Sequence, residues 1–212
     1  MFNFTIKRAE GLEDLEKNET EKLPDNAVML KEGDRVEDLY KKGFLLILPI
    51  LLLMIILAYI KCKGMKGNLS PDLNVLIAAA AGVIACVLLS DIHEFIHGIV
   101  LPLKAKKIIY KLNNAKCVYC NAVVSKSRII AVNLAPFTLL SAVPFILWMK
   151  FGQLLPIEYM LISVIVIWLM CLISLGDFAN AFNIMTQVPR GCKVMNHGFH
   201  TYYIKKTGKD KK

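Results

Sequence analysis

His93, Glu94 and His97 stand in the stretch "SDIHEFIHGIVL", Ser90 to Leu101, as an H-E-x-x-H pattern inside an apolar run. On a helix, residues four apart share a face, so two imidazoles at this spacing can turn toward one ion. Glu94 lies one residue round from His93, badly placed as an equal ligand but close enough to take a proton from an attacking water. Two neutral nitrogen ligands, a base and an open coordination position are what zinc hydrolysis requires. Ionisable groups are costly in hydrocarbon, so their presence in such a run points to a partner or a function. With 4 histidines in the 212 residues, chance produces the pattern in roughly a few of a thousand such chains. The bland alternative is a set of helix-end polar residues facing solvent or a satisfied bundle interior.

The elements that must carry these residues are membrane spans. Hydrophobic residues make up 56% of the chain and charged ones 20%, against about 45–50% and about 25% in soluble domains. The excess is concentrated in long runs, each near the roughly 20 residues a bilayer crossing needs. They are Gly43 to Ile60, the run from Leu73 through the motif to Pro102, Ile129 to Met149, and Pro156 to Gly176. The expected fold class is therefore all-α and integral to the membrane. It has four transmembrane helices, with a short strand-like cytoplasmic loop between the second and third. Residues 1–42 form a polar, mixed-charge extension without the apolar core of a signal peptide. Residues 43–188 form the membrane domain and 189–212 a basic tail.

Charge orients the bundle. The loop after the second span carries Lys104, Lys106, Lys107, Lys111, Lys116, Lys126 and Arg128, and the tail is also basic. The other two loops hold only Lys61, Lys63, Lys66 and Lys150. The positive-inside rule then puts both termini and the middle loop in the cytoplasm. The net charge of +9 comes without an aromatic-interleaved basic surface, which argues against nucleic acid as a partner.

This topology selects a third ligand. Spans two and four both run outward to inward, and the fourth ends in "SLGDFANAFN", bringing Asp177 toward the depth of the motif. Asn133 of "NLAPF" enters within the first turns of span three. Asp177 is the expected third ligand, because a carboxylate completes the donor set of hydrolytic zinc. The competing reading makes it a residue at the C-terminal end of a helix, where the dipole disfavours a negative charge. Asp91, Asn133 and Asn180 are candidates for bonding the ligands or a substrate backbone, or for plain interhelical hydrogen bonds.

The remaining polar features carry weaker signals. The middle loop alternates apolar and polar residues on either side of "NNA" and reads as a hairpin. Its Cys117 and Cys120 form a lone C-x-x-C, for which strand packing is the ordinary expectation. His197 and His200 fall in the tail, where surface histidines are the default, and the six cysteines do not suggest a disulfide framework.

On "HEFIHG", "NLAPF" and "GDFAN", taken in that order from about Asp72 to Tyr203, the chain resembles a family of small bacterial membrane proteins described as zincin peptidases. More distantly it resembles the site-2 type intramembrane metalloproteases. Those hold a membrane-embedded H-E-x-x-H and take an aspartate from a later span. The resemblance implies one zinc ion held by His93, His97 and Asp177, with Glu94 as catalytic base. It departs from the site-2 pattern, in which an N-x-x-P element lies just before the ligand aspartate of a D-G pair. Here Asn133 and Pro136 precede Asp177 by a whole span, and Asp177 follows Gly176.

The expected function is zinc-dependent intramembrane proteolysis. The substrate would be a membrane or membrane-associated protein, cleaved near the cytoplasmic face. The alternatives are a non-catalytic metal-handling or ion-translocating bundle, and an inactive protease-like scaffold. A translocation path calls for polar residues along its length, whereas the outer halves of spans two to four are almost wholly apolar, with Asn74 and Glu158 at the ends.

Overall fold

The computed structural model describes residues 4–8, 22–33, 35–63, 73–111, 116–198 and 200–205. Its apolar runs are helical. Helix α1 spans Val36–Lys63 and helix α2 Leu73–Val100. Helix α3, Lys126–Phe137, passes through a π-helical turn, Thr138–Ala142, into α4, Val143–Phe151, and a 3-10 turn at Gly152–Leu154. Helix α5, Ile157–Ile173, is followed by α6, Leu175–Gln187. Among the described residues, three helical stretches are long and apolar enough to cross a membrane, and a fourth is added if α5 and α6, bent by 44°, count as one span. Their outward side chains are large and apolar, among them Leu45, Ile84, Leu88 and Ile146. A membrane protein has such surfaces, because lipid rather than protein covers them.

The expected all-α class is corrected by two small sheets. Strand β1, Phe4–Arg8, runs parallel to β3, Lys107–Lys111, which pairs antiparallel with β4, Lys116–Tyr119. The second sheet has the order β2-β7-β6-β5, from Ala27–Met29, His200–Ile204, Lys193–His197 and Val124–Ser125. The hairpin expected in the middle loop is present as β3 and β4, and its turn, residues 112–115, lies outside the described residues. Strands in the N-terminal extension and in the tail were not anticipated. β2 is only three residues long and β1 is charged at its end, so neither stands out by alternation. The tail's "KVMNH" and "HTYYI" do not alternate apolar with polar residues either, although Gly198 between them has a φ of +59 that suits a tight turn.

The chain divides into two compact units, each with its own core. One contains Leu39–His93 and Pro136–Ala179 and is a helical bundle. Its core includes Ile47, Met54, Phe145, Trp148, Val164, Ile167 and Cys171. Gly43 of α1 lies against the α5–α6 break so closely that a Cβ there would come within 2.0 Å of the Leu175 carbonyl oxygen. The other unit contains Met1–Asp38, Glu94–Ala135 and Asn180–Lys212. Its core joins Leu101, Val124, Ile129 and Val132 to Ile184, Val188 and Val194. The chain passes between the units within continuous helices, α2 among them.

Candidate metal centre

Helix α2 runs for 28 residues without a break, so the i, i+4 spacing of His93 and His97 is realised as one helical face. That face is buried: His93 is 2%, Glu94 8% and His97 7% exposed. Asp91 lies on the exposed side of the same helix. Ionisable side chains at this depth need polar company, and His93 finds it in Asp177, with Nε2 3.1 Å from Oδ2.

Asp177 reaches this position by a route the sequence did not suggest. It does not close the preceding span. Ser174 interrupts the helix, and Asp177 lies in the first turn of α6. The dipole consideration is thereby reversed, since a carboxylate is favoured at a helix N-terminus. At the break, Ser174 Oγ donates to the Met170 carbonyl at 3.2 Å, satisfying one of the acceptors that the interruption frees.

His93, His97 and Asp177 each offer one ligand atom, and the three atoms lie within 4.8 Å of one another. His97 is further fixed by α3, because its Nδ1 is 2.8 Å from the Val132 carbonyl oxygen. A carbonyl only accepts, so Nδ1 carries the proton and Nε2 keeps the lone pair for a ligand role. Two buried imidazoles and a carboxylate form a donor set that suits zinc. The residues present therefore fit the ion that an H-E-x-x-H sequence leads one to expect.

Of the other sequence candidates, Asn133 is buried on α3 beside Val132, and Asn180 is half-buried one turn beyond Asp177 on α6. Neither belongs to the group of three. Cys117 and Cys120 carry free thiols, and Cys117 lies on β4. Burial, with the nearby Glu94 carboxylate adding to it, pushes the Cys117 thiol up from its ordinary 9.0 to about 12. At that value it stays protonated at neutral pH, unlike an activated nucleophilic thiol. His197 and His200 face each other across the β6–β7 hairpin, away from the group of three in sequence and pairing.

Two supporting residues escaped the sequence reading. Arg128 Nε donates to the Val100 carbonyl at the end of α2 at 2.9 Å. Lys126 Nζ donates to the carbonyls of Met185 and Val188 at the end of α6, at 2.9 and 2.6 Å. The first turn of α3 thus caps the C-terminal ends of both helices that carry the buried polar group. Cations suit the negative end of a helix, but surface lysines and arginines are too common for sequence to mark these two.

Among known families, the one described as "putative zincin peptidase" matches residues 83–193, more than half of the chain. The chain belongs to this family. The matched stretch contains both histidines, Glu94, Asp177 and the β3–β4 hairpin, so the zincin peptidase family covers the whole candidate centre. No curated protein and no solved structure matches the chain.

Proposed function

We propose that this zincin peptidase family member is a zinc-dependent intramembrane metalloprotease. It would hydrolyse peptide bonds of membrane or membrane-associated proteins near the cytoplasmic face of a bacterial membrane, with both termini on that side. The observation that carries the reading is the convergence of His93, His97 and Asp177 to within 4.8 Å on and beside a buried helix face that also holds Glu94.

In this reading His93, His97 and Asp177 hold a single zinc ion, and Glu94 is the catalytic base. Zinc supplies Lewis acidity, lowering the pKa of water and polarising the scissile carbonyl. His97 is held in the tautomer with its proton on Nδ1, so Nε2 is ready to bind without a prior proton shift. Glu94 takes the proton from the attacking water and returns it to the leaving amine. Its burial excludes bulk water and strengthens local electrostatic interactions.

Peptide cleavage requires an unwound substrate, and β4 offers a place for one. Among the described strands it is an edge of the sheet ordered β1-β3-β4, a position at which a substrate strand could be added. The influence of Glu94 on Cys117 brings that edge within electrostatic reach of the base. A substrate strand laid along β4 would pass close to it.

The test compares the purified protein with Glu94→Gln for zinc content and for cleavage of a membrane-protein substrate. Zinc should stay bound, while cleavage should fall by about 10²–10⁴-fold, the usual contribution of a positioned base. Full zinc loading with unaltered cleavage would overturn the mechanism.

A further inference from the structure

Within an α-helix the carbonyl of residue i accepts from the N–H of residue i+4. For Val132 in α3 that donor would be residue 136, which is Pro136, buried and lying inside the helix. Proline has no N–H, and its ring presses on the carbonyl four residues back. The Val132 oxygen is instead 2.8 Å from His97 Nδ1. We propose that Pro136 is a positioning residue of the metal centre. By withholding a helical N–H it reserves the Val132 carbonyl for His97, which fixes the imidazole tautomer and ring orientation and leaves Nε2 as the ligand atom.

The proposal rests on the reading of His97 as a metal ligand. It gives the proline of "NLAPF" a chemical role that differs from bending the chain. A bend at this place has its own means, because the π-helical turn Thr138–Ala142 begins two residues later. An alanine at 136 would keep the helix and supply the missing N–H. The Val132 carbonyl would then turn back along the helix axis, and His97 would have to share its acceptor. Imidazoles that lose their outer partner can adopt either tautomer, and the Nε2–H form cannot bind a metal through Nε2.

The test uses the full chain purified in detergent, as the parent, as Pro136→Ala, and as a variant with lactic acid at position 136. The lactic acid variant has an ester in place of the amide, so it lacks both the ring and the N–H. Zinc affinity is measured by competition with a chromophoric chelator. The His97 tautomer is read from imidazole ¹⁵N shifts in the metal-free protein, assigned with His97→Gln. In Pro136→Ala, zinc binding is expected to weaken about 10–100-fold, the usual loss for an outer partner. Nε2–H character should appear at His97, and the ester variant should behave as the parent does.

An alanine variant with parental affinity and a pure Nδ1–H tautomer overturns the proposal. So does an ester variant as impaired as alanine, since the ring rather than the absent N–H would then matter. If alanine prevents folding, the ester variant alone decides, by keeping or losing the parental tautomer. If the parent binds no zinc, the metal reading fails, while the tautomer shifts still test the role of Pro136.

Discussion

Helix α2 and the α5–α6 pair deliver polar groups to one place in opposite ways. Helix α2 carries His93 and His97 in the last turns of an unbroken 28-residue helix, whereas Asp177 arrives on a helix that begins only two residues before it. Two groups on a single face need only the helical repeat to align them. The carboxylate comes from a separate span, and a break lets it sit at a helix N-terminus, where its charge is favoured. The difference teaches that spacing suffices for the pair, while the third group depends on what holds the break in place.

The most severe way to disturb this arrangement is Asp177→Ala. If the carboxylate is a ligand, zinc affinity should fall by more than the about 10–100-fold that loss of an outer partner costs. Elemental analysis of the purified variant against His93→Ala would check it, with unchanged zinc content removing Asp177 from the site.

A second change tests how the break is held. In Gly43→Ala the new Cβ would lie 2.0 Å from a backbone oxygen, which cannot rotate away. Overpacking of that kind costs typically about 1–3 kcal/mol. In Gly82→Ala, on α2, the nearest atom would be Ile165 Cγ2 at 2.9 Å, on a side chain that can shift. Unfolding in detergent should therefore separate the two, with Gly43→Ala clearly less stable. Equal stabilities would mean that the break tolerates movement of α1.

Smaller effects are expected at the caps. Lys126→Met and Arg128→Met each remove charge-assisted bonds to helix-end carbonyls. Each should lower stability by about 1 kcal/mol, measured by the same unfolding transition. If only Arg128→Met has an effect, α6 needs no tie at its far end.

The mildest probe is alkylation of Cys117. The Glu94 carboxylate helps to raise this thiol, so removing its charge in Glu94→Gln lowers the thiol pKa and increases the thiolate fraction at a fixed pH. The alkylation rate, followed residue by residue by mass spectrometry, should rise by less than about tenfold, because burial is the larger cause. No change would separate β4 from the base.

What the sequence made legible follows the same division. The apolar runs and the i, i+4 pair stand out because they repeat with the helix. The middle hairpin alternates clearly enough to be expected, and Asp177 was expected beside the motif. The break at Ser174 was not visible. "SLGDFAN" contains no proline, and its glycine and aspartate read as the end of a span rather than the start of a helix. The partner of His97 left no direct trace either, because it is a main-chain carbonyl. Only the proline four residues later marks it. Strand β2 is too short for alternation to distinguish it from an irregular polar segment, and β1 ends in the charged pair Lys7 and Arg8.

The close approach of Gly43 to Leu175 bears on how a helix can be interrupted in an apolar surrounding at all. Backbone groups released at a break cannot be left to lipid, and must be enclosed by protein or bonded within it. Ser174 bonds one of them, and the backbone of α1 shields the carbonyl side of Leu175. Helix α1 contributes no residue to the candidate chemistry and precedes the stretch shared with the family. By lying against Leu175, it covers the backbone beside the fracture in the neighbouring helix. Stripping that cover would leave every chemical group in the chain and still dislodge the carboxylate.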